Sequence, residues 1–421
     1  MRPDERTTVL LLCSTTGYQT QAFAAAAEKL GLRTVFASDR CHVLDDPWRD
    51  GALAIRFEEA EISAARAAAY AKEHNVRAVI AVGDQPAAVA ARVAQALGLP
   101  GHPPAAADIC RDKYRSRTAL RAAGLQVPDF QRFLLTQDPR ELAPAVSFPC
   151  VLKPLMLSGS RGVIRANNCQ EFVAAFERIR QLLDSPEVGA LRDPAAEFIQ
   201  IEQYIEGTEV AVEGVVASGR LQLLAIFDKP DPLVGPFFEE TIYLTPSRLP
   251  AEAQEQIGRA LQQAVNALGL RHGPLHAEAR LNEAGVWILE VAARPIGGLC
   301  ARSLRFQGGM PLEELILRNA LGEALEPVRE SCASGVMMIP IPQAGFLEGV
   351  ENVEEAARTP GVEAIEITAK RRQQLVPLPE GASYLGFIFA RGESPQLVEA
   401  ALRKAHAKLR FVVSPALKVV W

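Results

Sequence analysis

The run 275–292 constrains this chain more than any other. Two strand-forming segments, 275–281 and 286–292, flank Glu283-Ala284-Gly285, a three-residue loop with glycine where a left-handed backbone is needed. A hairpin closed in this way pairs Asn282 with Val286 and sets Glu278 directly against Glu290. Side chains two apart share a face of a strand. His276, Glu278, Arg280, Glu290 and, if the strand runs that far, Arg294 then fall on one face. Two bare carboxylates in opposition repel. A divalent cation removes that repulsion, and an all-oxygen donor set favours Mg2+ or Mn2+ over zinc. The plainer reading is a solvated face on which Arg280 pairs one acid.

Three more pieces precede the hairpin. Lys153 is the one charge in Phe148-Pro149-Cys150-Val151-Leu152-Lys153-Pro154, read as part of a strand over 146–154. A lysine buried there requires an anionic partner, and a phosphate would serve. Ser158-Gly159-Ser160-Arg161-Gly162 follows as a loop of small residues, whose backbone N–H groups can approach phosphate oxygens closely. GxxxxGK[ST] occurs nowhere suitable, so this is no Walker loop. The third piece is Ile201-Glu202-Gln203-Tyr204-Ile205-Glu206-Gly207-Thr208-Glu209, a strand end whose backbone can pair with an adenine edge. An acid a few residues on, Glu209, can accept from ribose hydroxyls. Taken singly, these pieces also fit a strand-end lysine, an ordinary hairpin loop and an amphipathic strand with surface acids.

The remaining pattern is α/β. Over the first hundred residues, strands at 8–14, 33–37 and 78–82 alternate with helices at 19–30, 62–73 and 86–97, as in a small open parallel sheet. The turn Ser14-Thr15-Thr16-Gly17 lacks GxGxxG, so a scaffold with some loops facing a substrate is favoured over a dinucleotide site. Pro100 to Pro104 breaks the pattern, and one charged helix is expected over 108–123. Strands follow at 198–205, 209–217 and 220–227, then a helix at 251–268. From about Pro327 a strand–helix–strand pattern begins. At 421 residues the chain exceeds one core, and we divide it at 1–107, 108–205, 206–326 and 327–421.

Net charge is −5, which gives no electrostatic reason to expect nucleic acid or an anionic membrane as partner. The seven cysteines form no CxxC pair, which argues against a disulfide framework or a structural zinc. The first apolar run, Val9 to Cys13, is too short for a leader or a membrane span. A cytoplasmic protein with free thiols is expected. Nothing decides between a monomer and a homodimer.

In their order along the chain these pieces resemble the ATP-grasp superfamily over roughly residues 108–300, with the first hundred resembling its usual preceding, Rossmann-like domain and the last stretch an α/β lobe completing the core. The resemblance implies ATP and Mg2+ (or Mn2+) as cofactors. It implies Lys113 (in Arg111-Asp112-Lys113) and Lys153 on the ATP phosphates, and Ser158, Gly159, Ser160 and Gly162 in a mobile phosphate lid. Glu202 with the backbone of Gln203, Tyr204 and Ile205 would hold adenine, Glu209 ribose, and Glu278 and Glu290 the metal. The usual tail Glu-x-Asn-x-Arg is here Glu290-Val291-Ala292-Ala293-Arg294, which puts a third metal ligand in doubt. That tail, followed by Pro295-Ile296-Gly297-Gly298 and with His276 two residues before Glu278, is similar to dipeptide-forming L-amino-acid ligases and to the carnosine-synthase type.

The activity so implied is ATP-dependent joining of a carboxylate to an amine through an acyl phosphate, with amino acids as the expected substrates. Arg294 would stabilise the acyl phosphate, Gly297 and Gly298 would donate near the reacting carboxylate, and His276 would bind substrate or take the amine's proton. The segment 229–240, rich in proline and acids, is a second lid candidate. The rival readings are a purine-synthesis ligase, a biotin-carboxylase-like enzyme, or a catalytically silent ATP-binding protein on the same fold.

Overall fold

A computed structural model describes residues 6–14, 19–39 and 52–415. Thr15, Thr16 and Gly17 of the N-terminal turn, and Cys41, lie outside the described residues. The N-terminal region is a four-stranded parallel sheet in the order Ala52–Ala54, Arg33–Ser38, Thr8–Cys13, Val76–Val82. Its strands are apolar because helices cover both faces. The helix Asp84–Leu97 ends at Gly98, whose left-handed backbone (φ +64°) closes it.

The expected single helix over 108–123 is two helices, Pro104–Arg111 and Lys113–Ala122. Asp112 takes an extended backbone (φ −100°, ψ 109°) and caps the second helix by accepting from Arg115 N at 3.0 Å. N-capping outcompetes helical continuation at this residue. The break puts Lys113 in the first turn of the second helix and Arg117 one turn further on the same face.

Two larger sheets form the body. A four-stranded antiparallel sheet runs in the order Phe130–Leu134, Phe198–Gln203, Cys150–Pro154, Ile164–Ala166. It is covered by the amphipathic helix Cys169–Leu183, whose Phe172, Phe176 and Ile179 are fully buried in its core. The strand expected to start at 146 starts at Cys150, after the cis bond Phe148–Pro149.

An eight-stranded antiparallel sheet runs in the order Gly285–Ala292, Gly273–Asn282, Thr208–Ala217, Arg220–Asp228, Ile242–Thr245, Ala333–Ile339, Gly386–Gly392, Val362–Ile367. Strands from the last hundred residues thus extend the sheet that carries the acidic hairpin. The helix Ala251–Leu268 packs into a core on this sheet. A second core joins the sheet to the N-terminal strands, with Val9, Leu11 and Ile80 among Phe227, Val336 and Phe387. Gly207 (φ +135°) lets the turn before Thr208 press against the hairpin: a Cβ there would lie 2.2 Å from the Leu281 carbonyl oxygen. Among the described residues no helix is long and apolar enough to cross a membrane.

Candidate active site

The hairpin arrives at the expected opposition by a different route. Asn282 pairs with Gly285, not Val286, so the loop is the two residues Glu283-Ala284. A bulge then inserts Leu289, and beyond it Glu278 faces Glu290 after all. The carbonyl of that extra residue accepts from the buried Arg117. The strand stops at Ala292, so Arg294 sits in the turn beyond it.

Between the two larger sheets lies a cavity of about 330 Å3, in the range of small-molecule clefts. Lys113, Lys153, Ser158, Gly159, Ser160, Glu202, Gln203, Tyr204, Ile205, Glu209, His276, Glu278, Glu290, Arg294, Gly297 and Gly298 all line it. Of the residues named from sequence, Gly162 does not. Its N–H donates to the Pro379 carbonyl at 2.8 Å, on the outer side of the loop.

At one end the cations gather. Lys113 Nζ donates to the Leu157 carbonyl at 2.6 Å, at the foot of the glycine loop. Lys153 Nζ lies 2.6 Å from Glu202, whose other oxygen is 2.9 Å from Arg117. Burial opposes ionisation of Glu202, but Arg117 and Lys153 outweigh it and bring its pKa down to about 2. Burial lowers the Lys153 pKa, with Glu202 pulling it back. Beside these, Val151, Tyr204, Leu233 and Phe238 form a small apolar cluster in the cavity wall. The N–H groups of Gln203 and Tyr204 are taken by the carbonyls of Asp129 and Pro149.

At the other end the acids gather. Glu209, Glu240 and Glu278 each place a carboxylate oxygen within 4.8 Å of the others, and Lys229 stands among them, 2.8 Å from Glu209 and 3.4 Å from Glu278 and bonded to Glu240. Burial works against the Lys229 ammonium, yet the three acids hold its pKa well above the ordinary lysine value. Arg280 donates to Glu209 at 2.7 Å. Burial pushes Glu278 up to about 8, with Glu240, Glu209 and Glu290 repelling in the same sense and Lys229 opposing. A divalent ion set among these carboxylates would relieve their repulsion and displace the proton from Glu278. The donor set is all oxygen, so the residues fit Mg2+ or Mn2+.

His276 Nδ1 lies 3.1 Å from Glu213 Oε2, directly across the paired strand. Burial lowers the His276 pKa and raises that of Glu213, so the pair favours its neutral form. Glu213 also accepts from Ile296 N at 3.1 and 3.2 Å.

Asp84 and Glu213 were not singled out from sequence, and Glu240 was named only as the end of the acid-rich segment 229–240. Glu213 had a signal: it is an acid inside the apolar run Val210-Ala211-Val212-Glu213-Gly214-Val215, the argument already applied to Lys153. Asp84 also had one, since it follows a parallel strand at the carboxyl end, where open sheets present ligand-facing loops.

Comparison with known proteins bears on the fold and its domains. The family described as ATP-grasp domain matches residues 146–303, the ATP-grasp N-terminal domain 23–101, and the L-amino acid ligase C-terminal domain 2 337–414. The crystal structure of L-amino acid ligase from Bacillus licheniformis superposes with a TM-score of 0.82 at 26% identity, covering 97% of this chain and 99% of that one. Alanine–anticapsin ligase of Bacillus subtilis is 32% identical over 242 residues, 54% of this chain and 50% of that ligase. Carnosine synthase 1 of Gallus gallus is 33% identical over 236 residues, 53% of this chain and 25% of the synthase. These two alignments span half and a quarter of the relatives' lengths. With three family matches laid out in order along one fold, the chain carries an ATP-grasp N-terminal domain, an ATP-grasp domain and the C-terminal domain of the L-amino acid ligases.

Proposed function

We propose that this protein is an ATP-dependent ligase that joins the carboxylate of one amino acid to the amino group of another, releasing ADP and phosphate. One observation carries the reading. A single cavity holds two lysines beside a glycine loop, a face-to-face carboxylate pair, and an arginine next to two glycines. That is the equipment phosphoryl transfer to a carboxylate requires: charge neutralisation, an in-line hold on the acceptor, and an exit for the acyl group.

ATP enters as substrate. The apolar patch of Val151, Tyr204, Leu233 and Phe238 receives its base. Because Glu202 is held by Arg117 and Lys153, recognition of the adenine edge falls to the chain at Gln203–Ile205, with Ile205 supplying the donor, and Glu202 orients Lys153. Lys113 and Lys153 take the phosphates under the Ser158–Gly162 loop, and Glu209 takes the ribose. A divalent ion held by Glu278 and Glu290, with Glu240 beside them, would supply charge neutralisation at the phosphates.

Arg294 binds the oxygen on which charge develops as the carboxylate is phosphorylated and again as the amine attacks. Gly297 and Gly298 offer backbone N–H groups there. The amine attacks neutral, and His276, with Nδ1 turned to Glu213, faces the cavity as the group to receive its proton. Closure of the Ser158–Gly162 loop keeps water from the acyl phosphate.

The test is incubation of the purified protein with Mg-ATP and pooled amino acids, reading nucleotide, phosphate and product by mass spectrometry. ADP, phosphate and a new amide are expected. AMP and pyrophosphate would exclude the acyl-phosphate route, and ATP binding without turnover on any pool would favour the silent nucleotide-binding reading.

A further inference from the structure

Arg294 lies past the end of its strand, where the sheet no longer holds it. Its turn is held from outside. Asp84 Oδ1 accepts from Arg294 Nε at 2.9 Å, and Arg294 Nη1 donates to the Pro295 carbonyl at 3.0 Å. Two residues on, Ile296 is gripped on both sides: its N–H donates to Glu213, and its carbonyl accepts from Gln19 Nε2. Asp84 and Gln19 both belong to the N-terminal region, expected from sequence to be a scaffold with some loops facing a substrate.

Asp84 is itself firmly placed. It is the first residue of the helix Asp84–Leu97 and follows Gly83 (φ +103°), which turns the chain out of the strand Val76–Val82. Both side chains are largely buried, with 22% of Asp84 and 13% of Arg294 exposed. A guanidinium is a rigid plane. Bonds at Nε and Nη1 therefore fix the direction of Nη2, the edge left for a ligand in the cavity that Arg294 lines.

We propose that Asp84 is a positioning residue that aims the Arg294 guanidinium at the reacting carboxylate, so that the N-terminal region completes the catalytic arrangement. This rests on the ligase reading above. Asp84 contacts Arg294, and its effect on the reaction passes through it. Supporting groups of this kind set active-site geometry to within fractions of an ångström.

The experiment compares Asp84→Asn and Asp84→Glu with the unaltered protein, each also in an Arg294→Ala background. Amide formation gives kcat and KM, and urea unfolding reports the fold. Asp84→Asn is expected to lower kcat by about tenfold to a hundredfold, with KM for ATP within about threefold of normal. Asp84→Glu should recover part of the loss. In the Arg294→Ala background, Asp84→Asn should cost nothing further, since coupled residues are non-additive. Normal kcat in Asp84→Asn overturns the proposal, as does an equal loss in both backgrounds.

A second readout does not depend on turnover. Nitrogen-15 spectra should show one arginine Nε–H protected from exchange, absent from Arg294→Ala and exposed in Asp84→Ala, which has no acceptor to offer. An unaltered protein without that signal refutes the pairing. A protein that shows it, yet makes no ADP from any amino acid, refutes the ligase reading instead.

Discussion

The Lys153 ammonium lies 2.6 Å from the Glu202 carboxylate, on neighbouring antiparallel strands, and the same carboxylate balances the buried Arg117 guanidinium. One acid therefore holds two cations, one facing the cavity and one facing the core. Removing the acid's charge leaves Arg117, 1% exposed, without a counter-ion. Breaking such a pair from one side costs about 3–5 kcal/mol. Glu202→Gln should unfold at markedly lower urea than the unaltered protein. A midpoint shift worth less than about 1 kcal/mol would show that Arg117 is satisfied without it.

Glu290→Ala and Arg294→Ala are expected to keep the fold and lose the reaction. Arg294 is proposed to meet the developing charge directly and Glu290 through the divalent ion it would hold, so each loss is worth about 3 kcal/mol in the barrier or roughly a hundredfold in rate. Phosphate release with amino acids present, measured beside the far-ultraviolet dichroism, tests both. A Glu290→Ala protein with normal turnover would remove Glu290 from the metal site.

Acid should destabilise the protein through His102. This histidine is buried between the N-terminal sheet and the strand Gly273–Asn282. Its Nε2 is 3.0 Å from the Pro274 carbonyl, and its Nδ1 accepts from Arg271 N. Burial brings its pKa from 6.5 down to about 4, with the Pro274 bond pulling the other way. A lowered histidine pKa means that the native state resists protonation. The stabilisation is thus full above pH 6.5 and lost as pH falls toward 4, ~3 kcal/mol across that window by linkage. Unfolding at pH 7 and pH 5 should show the drop, and His102→Gln should flatten it. An unchanged pH dependence in the variant would assign the drop elsewhere.

The phosphate loop is tied to the C-terminal region. Arg161 Nε donates to the Glu380 carbonyl at 2.7 Å, and its Nη atoms meet Glu187 at 2.9 and 3.0 Å. Arg161→Ala should loosen closure and let water compete for the acyl phosphate. The expected sign is phosphate release exceeding amide formation several-fold, where the unaltered protein keeps the two equal. A ratio that stays at one would show that closure does not depend on this contact.

The acidic hairpin was legible because strand alternation and cross-strand opposition are local rules. Its turn was not: Gly285 suggested a three-residue loop, and only the bulge at Leu289, which a buried arginine from a distant helix steadies, restores the opposition of Glu278 and Glu290. The helix break at Asp112 was written in its capping side chain, yet the charged run around it read as one helix. Asp84 meets Arg294 across 210 residues of chain, and no spacing rule reaches that far. The strands Ile242–Thr245 and Arg410–Ser414 were missed because short strands at a sheet's interior or edge carry too few residues to show a period.

The order of the eight-stranded sheet bears on how the chain is made. Ile242–Thr245, buried at every residue, takes its second neighbour only when Ala333–Ile339 arrives, after the whole acidic hairpin has been synthesised. A growing chain on the ribosome therefore carries an apolar sheet edge with open N–H and C=O groups, ready to pair with another nascent copy. Release of a shortened chain ending before residue 333 should expose that edge for good. Such products should aggregate, whatever they retain of the site.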